Sequence, residues 1–117
     1  MEKSDAVAAL AALAQDNRLD VFRLLVQAGP EGLAAGAVAD KLSLAANTLS
    51  FHFDRLRNAG LVSCKREGRS LIYSARFETM NGLVGYLTEN CCGGVAHCAP
   101  TARGAKSSRK AKSKVPA

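Results

Sequence analysis

No apolar run in this 117-residue chain approaches the roughly 18 residues that a bilayer-spanning helix needs. The opening Met1-Glu2-Lys3-Ser4-Asp5 leads into an alanine-rich segment without a basic n-region or a cleavage site, so no secretory signal is expected. Cys-x-x-Cys pairs, phosphate-binding glycine loops and clusters of acid and base side chains are all missing, which argues against an enzyme. The expectation is a cytoplasmic chain with no membrane partner. There cysteines stay reduced, which favours metal or redox chemistry over structural disulfides. Length points to one domain, and an apolar fraction of 48% excludes wholesale disorder.

Acidic residues are absent from positions 99–117, where Arg103, Lys106, Arg109, Lys110, Lys112 and Lys114 supply six positive charges. So polar a composition predicts a disordered tail, which either solubilises the protein or attracts phosphates non-specifically. The formal net charge of +6 resides there, because residues 1–98 hold ten basic and ten acidic side chains. Within that balanced stretch, residues 43–76 carry six basic and two acidic groups. A local basic patch on a neutral domain is the footprint of a nucleic-acid face.

Hydrophobic spacing predicts a first helix over about residues 4–14, capped by Ser4 or Asp5, with Val7, Leu10, Ala11 and Ala14 as its stripe. Asp16 should cap a second, reaching about Ala28, with Leu19, Phe22, Leu25 and Val26 on one face before Gly29-Pro30. Two further helices, about 34–42 and 45–59, are separated only by Ser43-Leu44, the helix-turn-helix arrangement. In the later one Leu49, Phe53 and Leu56 point inward, and Gly60 suits a left-handed cap. Residues 61–67 and 69–75 alternate as a β-hairpin bending at Gly68, with Cys64 a small core residue. A last helix should run from about Phe77 to Cys91 on a stripe of Met80, Leu83, Val84 and Leu87.

These elements define a mostly α fold with a small β-hairpin, a winged helix-turn-helix. Residues 1–92 are expected to form the DNA-binding and dimerisation domain, and 93–117 a flexible segment with Cys98 and the basic tail. So short a chain has no second layer to cover its first and last helices. Pairing them across a two-fold axis is the simplest solution, so a homodimer is expected.

The partner implied is double-stranded operator DNA. Asn47, Thr48, Ser50, Phe51, His52 and Arg55 are left on the outer face of the second helix of the pair, the one that enters the major groove. Asn favours adenine, Ser and Thr are permissive, and Phe51 can meet a thymine methyl. Arg55, further along, is assigned to a phosphate. Lys65, Arg66 and Arg69 near the hairpin tip would reach backbone or minor groove, where basic groups position more than they specify.

The stretch Ala45-Ala-Asn-Thr-Leu-Ser-Phe-His-Phe-Asp-Arg-Leu-Arg-Asn-Ala-Gly-Leu-Val62 resembles the recognition-helix signature of ArsR/SmtB-type repressors. Residues 12–25 are similar to that family's second helix and 66–74 to its wing, so the likeness covers about residues 6 to 92. It implies a homodimer that represses a promoter until an inducer ion binds. Many arsenic-sensing members carry Cys-Val-Cys on the helix before the recognition helix, whereas residues 31–42 here contain no cysteine. That site is not carried over.

Three other thiols crowd one segment, Asn90-Cys-Cys-Gly-Gly-Val-Ala-His-Cys98. Soft sulfur ligands select soft ions. Cys91 and Cys92 offer two sulfurs without loop closure, and Cys98 closes a short loop at modest entropic cost. Trivalent arsenic takes three sulfurs in a pyramid, so As(III), with Sb(III) as alternative, is the expected inducer, bound once per protomer without an organic cofactor. Zinc could use His97 as a fourth ligand, and cadmium or lead the same sulfurs. However, 91/92 and 97/98 are immediate neighbours, whereas structural zinc sites space their ligands. Thiol redox sensing is the other alternative, disfavoured because Glu89 and a helix C-terminus raise a thiol pKa.

Overall fold

The computed structural model describes residues 1–94. Along it run α1 (Lys3–Leu13), α2 (Asp16–Ala28), β1 (Leu33–Ala34), α3 (Ala35–Leu42), α4 (Ala46–Asn58), β2 (Val62–Glu67), β3 (Ser70–Ala75) and α5 (Phe77–Leu87). Met1–Tyr86 form one compact unit, and a second begins at Leu87. Among the described residues no helix is long and apolar enough to cross a membrane.

Helix α1 turns a different face inward from the one its larger side chains suggest. Ala6, Ala9 and Ala12 are buried, while Val7 is 58% and Leu10 42% exposed. Three alanines one turn apart let neighbouring backbones approach closely, and that geometry displaces the bulkier residues outward. Neither Ser4 nor Asp5 caps the helix; Glu2 holds the N-cap position without a side-chain bond. At α2 the cap is Gln15 instead of Asp16, with its Oε1 accepting from the Arg18 amide at 2.9 Å. Arg18 Nε in turn donates to the Ala12 carbonyl at 2.7 Å and clasps the α1–α2 junction. Val21, Phe22 and Leu25 face the core, whereas Leu19 is exposed, so the inward stripe is rotated from the expected one.

Helices α3 and α4 meet through Ser43, which is left-handed at φ 55°, ψ 45°. Leu49, Phe53 and Leu56 all point into the core as their spacing predicts, joined by Leu61 beyond the helix. Gly60, at φ +77°, makes the reversal that leads into the wing. There β2 and β3 pair antiparallel from Val62↔Ala75 to Glu67↔Ser70, which leaves Gly68 and Arg69 as the turn. Strand β1 was not foreseen, because two residues show no alternation. It pairs Leu33↔Tyr73 and Ala34↔Ile72, giving the sheet order β1-β3-β2. Gly32 enters it at φ +73°, where a Cβ would collide with the Tyr73 carbonyl.

Helix α5 ends at Leu87, four residues before the expected Cys91. Thr88 is β-branched and Asn90 takes the left-handed conformation at φ 58°, both of which work against another helical turn. A separate 3-10 turn spans Cys91–Gly94, with Cys92 at φ 55° and Gly93 at φ 71°. The stripe of α5 is only half covered: Leu83 is buried, but Val84 is 47% exposed and Leu87 is exposed too. Cys64 is partly buried against the core, in the position expected of it.

Candidate nucleic-acid interface

Helix α4 presents Asn47, Thr48, Ser50, Phe51 and Arg55 to solvent, and the hairpin presents Lys65, Arg66 and Arg69. Asn47 Oδ1 accepts from the Thr48 amide at 2.9 Å, which steadies the first turn of α4, where Ala45 offers no side-chain cap. Lys65 Nζ lies 3.0 Å from Glu67 Oε2. Both partners are exposed, so the pair is worth at most about 1 kcal/mol and a phosphate can displace it. Lys65 and Arg66 are consecutive on β2 and stand on opposite faces of a narrow ribbon. Such a wing can straddle a groove edge.

His52 corrects the expected outer face. It is only 5% exposed, and neither ring nitrogen hydrogen-bonds to a protein group. It stands three residues after Leu49 and four before Leu56, so the turn that buries those leucines buries the imidazole as well. A side chain so enclosed does not reach a base edge. Burial pushes its pKa below the ordinary 6.5, and the Arg18 charge adds to the depression. Protonation therefore favours the unfolded chain. The stability tied to neutral His52 is full above pH 6.5 and is lost as the pH falls through that value toward the depressed one. Urea unfolding at fixed protein concentration should weaken between about pH 7 and pH 5. His52→Leu, which removes two unpaired polar atoms, should gain about 1–3 kcal/mol and flatten that dependence. An unchanged pH slope in the variant would reject His52 as its source.

Two aromatic arrangements set the geometry of the face. Phe53 stacks on Tyr73 of β3 with ring centroids 3.6 Å apart and planes 2° from parallel. This stack joins the recognition helix to the wing through the core. Tyr73 was missed as a positioning residue, although its place two residues before buried Ala75 on an alternating strand was the available signal. Its hydroxyl pKa is raised, first by burial and then by a hydrogen bond with Cys64, so it stays neutral. Two positions before Phe53, Phe51 is 51% exposed, and the Arg55 guanidinium lies over its ring, 5.0 Å from the centroid.

Of the three candidate sulfur ligands, Cys91 and Cys92 lie in the turn after α5, with their Sγ atoms 3.7 Å apart. Cys91 is partly buried and Cys92 exposed. Cys98 and His97 lie outside the described residues. Among the described residues no group of three His, Cys, Asp or Glu side chains is placed to hold a metal ion.

A recognition helix with a polar outer face, buttressed by a basic wing, defines a winged helix-turn-helix DNA-binding domain. A helix-turn-helix domain family matches residues 13–64. The chain is 37% identical over 68 residues to the uncharacterized HTH-type transcriptional regulator YceK of Bacillus subtilis, a match spanning 58% of this chain and 67% of that one. It is 30% identical over 87 residues to the HTH-type transcriptional regulator YgaV of Escherichia coli, covering 74% of this chain and 86% of that one. The solution structure of a homodimeric winged helix-turn-helix domain from Mycobacterium bovis, a possible ArsR-family regulator, superposes with a TM-score of 0.61. That match has 26% identity over 74% of this chain and 81% of the other. The chain belongs to the ArsR family of winged helix-turn-helix transcriptional regulators. Proteins of this kind regulate transcription and are not enzymes.

Proposed function

We propose that this regulator is a homodimeric repressor that leaves its operator when As(III), or Sb(III), binds Cys91, Cys92 and Cys98. The observation that carries the reading is the 3.7 Å separation of the Cys91 and Cys92 sulfurs. An ion with sulfur bonds of about 2.3 Å and tetrahedral angles holds two thiolates about 3.8 Å apart. A pyramidal ion brings them slightly closer. Both sulfurs can thus serve one ion with little backbone movement. In the reaction three thiol protons leave with the three hydroxides of arsenous acid as water, and three As–S bonds replace three As–O bonds. The product carries no net charge.

The homodimer reading rests on the outward apolar side chains of α1 and α5 and on the homodimeric relative. A two-fold dimer sets two copies of α4 into successive major grooves. Ion binding beyond the last turn of α5 acts on DNA through the geometry of that dimer.

Fluorescence anisotropy tests this on a duplex selected by the protein from a randomised pool, with a phosphine reductant so that no added dithiol competes. Saturating arsenite should weaken DNA binding about 5- to 150-fold, the usual range of allosteric coupling. Cys91→Ser, Cys92→Ser and Cys98→Ser should each abolish the response while leaving arsenite-free binding intact. Release by peroxide alone would replace the reading with thiol oxidation. Release by zinc, cadmium or lead but not arsenite would replace the metalloid with a divalent ion.

A further inference from the structure

We infer that Phe51 and Arg55 act as one base-reading unit, selecting a thymine and a neighbouring guanine within each half-site. The inference rests on the DNA-binding reading and not on the cysteines. On spacing alone Arg55 belonged to the phosphate backbone, but its geometry assigns it elsewhere. Helical side chains lean toward the N-terminus, and Arg55 leans back one turn, with its guanidinium over the Phe51 ring at 5.0 Å. The charge is thereby held above the part of α4 that meets base edges instead of trailing toward the strand. Among the described residues no carboxylate forms an ion pair with it.

Half-exposed Phe51 offers an apolar surface where the thymine 5-methyl projects into the major groove. The guanidinium resting on it keeps its N–H edge available for the O6 and N7 atoms of a neighbouring guanine, the bidentate pair that arginine makes best. Stacking on the ring restricts arginine rotamers before DNA arrives, so less freedom is lost on binding. Burial of His52 strengthens the assignment. With that imidazole turned inward, Phe51, acidic Asp54 and Arg55 are the side chains exposed in the turn that follows Ser50, and Arg57 and Asn58 are exposed only beyond it, toward the C-terminal end of α4.

Selection from a randomised duplex pool, followed by affinities on single-base variants, tests the unit. Wild-type protein should return a thymine next to a guanine base pair in each half-site. Arg55→Ala, and Arg55→Lys, which cannot make the bidentate pair, should erase the guanine preference, a loss of about 5- to 150-fold confined to that position. Replacing the thymine with deoxyuridine deletes only the 5-methyl; it should weaken wild-type binding several-fold and leave Phe51→Ala unaffected. Lys65→Ala is the contrast, since removing a charge that meets a phosphate should lower affinity for all sequences alike and reduce the salt slope by about 1. If Arg55→Ala behaves as Lys65→Ala should, the inference is overturned and Arg55 is a backbone anchor. A wild-type protein that enriches no sequence overturns the DNA-binding reading and this one with it.

Discussion

Truncating Phe53 to alanine is expected to remove most of the domain's stability, whereas truncating Phe51, two residues earlier, should cost almost nothing. Phe53 is buried in the core and its ring lies flat on Tyr73. Its loss forfeits the transfer energy of a large apolar side chain and leaves a cavity that rigid neighbours fill only in part, about 3–5 kcal/mol in similar cases. Losing the aromatic pair adds up to roughly 1 kcal/mol. Against a typical total of about 5–15 kcal/mol, that approaches unfolding. Phe51 is half exposed, with exposed Arg55 over its ring and the tilted His52 ring 5.9 Å away, so Phe51→Ala should stay within about 0.5 kcal/mol. Urea titrations followed by circular dichroism separate the two. Comparable losses in both variants would mean that the stacked pair does not anchor the wing to the recognition helix.

The same contrast shows what could be read from residue order. Leu49, Phe53 and Leu56 stand at helical intervals among polar neighbours, so their burial is legible from residue order. His52 obeys that interval too, but its polarity argued for the surface, and period was overridden by residue type. A buried imidazole without partners is costly, and nothing in local spacing announces one. In α1 alanine occupies both the inner and outer faces, so period alone could not choose which of them meets the core of its own chain, and the face of Ala6, Ala9 and Ala12 does. Close packing of backbones made that choice, and it is a tertiary effect. The end of α5 was obscured for another reason. Thr88, Glu89 and Asn90 do not forbid a helix individually, and only the left-handed Asn90 turns the chain out of it. The wing was legible because two strand-forming runs between Val62 and Ala75 are separated by a short turn that contains Gly68, although that turn takes in Arg69 as well. The two-residue β1 was not, since it exists only through its partner β3. For the candidate ligands, order along the chain placed Cys91 and Cys92 side by side, while their setting in a turn instead of a helix came from the structure.

The outward stripe of α1 carries the last prediction: introducing one glutamate at Leu10 or Val84 should convert the proposed dimer to monomers and cut operator affinity about 10²- to 10⁴-fold. Val7, Leu10 and Val84 are large apolar side chains left in water by the isolated chain, on the two helices expected to pair. Solvated singly they would need no explanation, but repeated on both helices they supply the apolar side chains that an isologous contact would cover. A two-fold axis doubles any substitution, so a single Glu places two carboxylates in the same interface. Each must be stripped of water or must force the subunits apart, at a cost of several kcal/mol per ion. The DNA-binding half of each subunit lies in α4 and the wing and should keep its fold, so circular dichroism should be unchanged. Affinity should nevertheless collapse. Once one α4 is docked, the dimer delivers the second at high local concentration, whereas a monomer must pay for each half-site separately. Analytical ultracentrifugation at micromolar protein, paired with anisotropy on the selected duplex, reads both effects. If Leu10→Glu and Val84→Glu both remain dimeric with operator affinity intact, the pairing surface lies elsewhere, and any route from the cysteine turn to the DNA through α5 loses its physical basis.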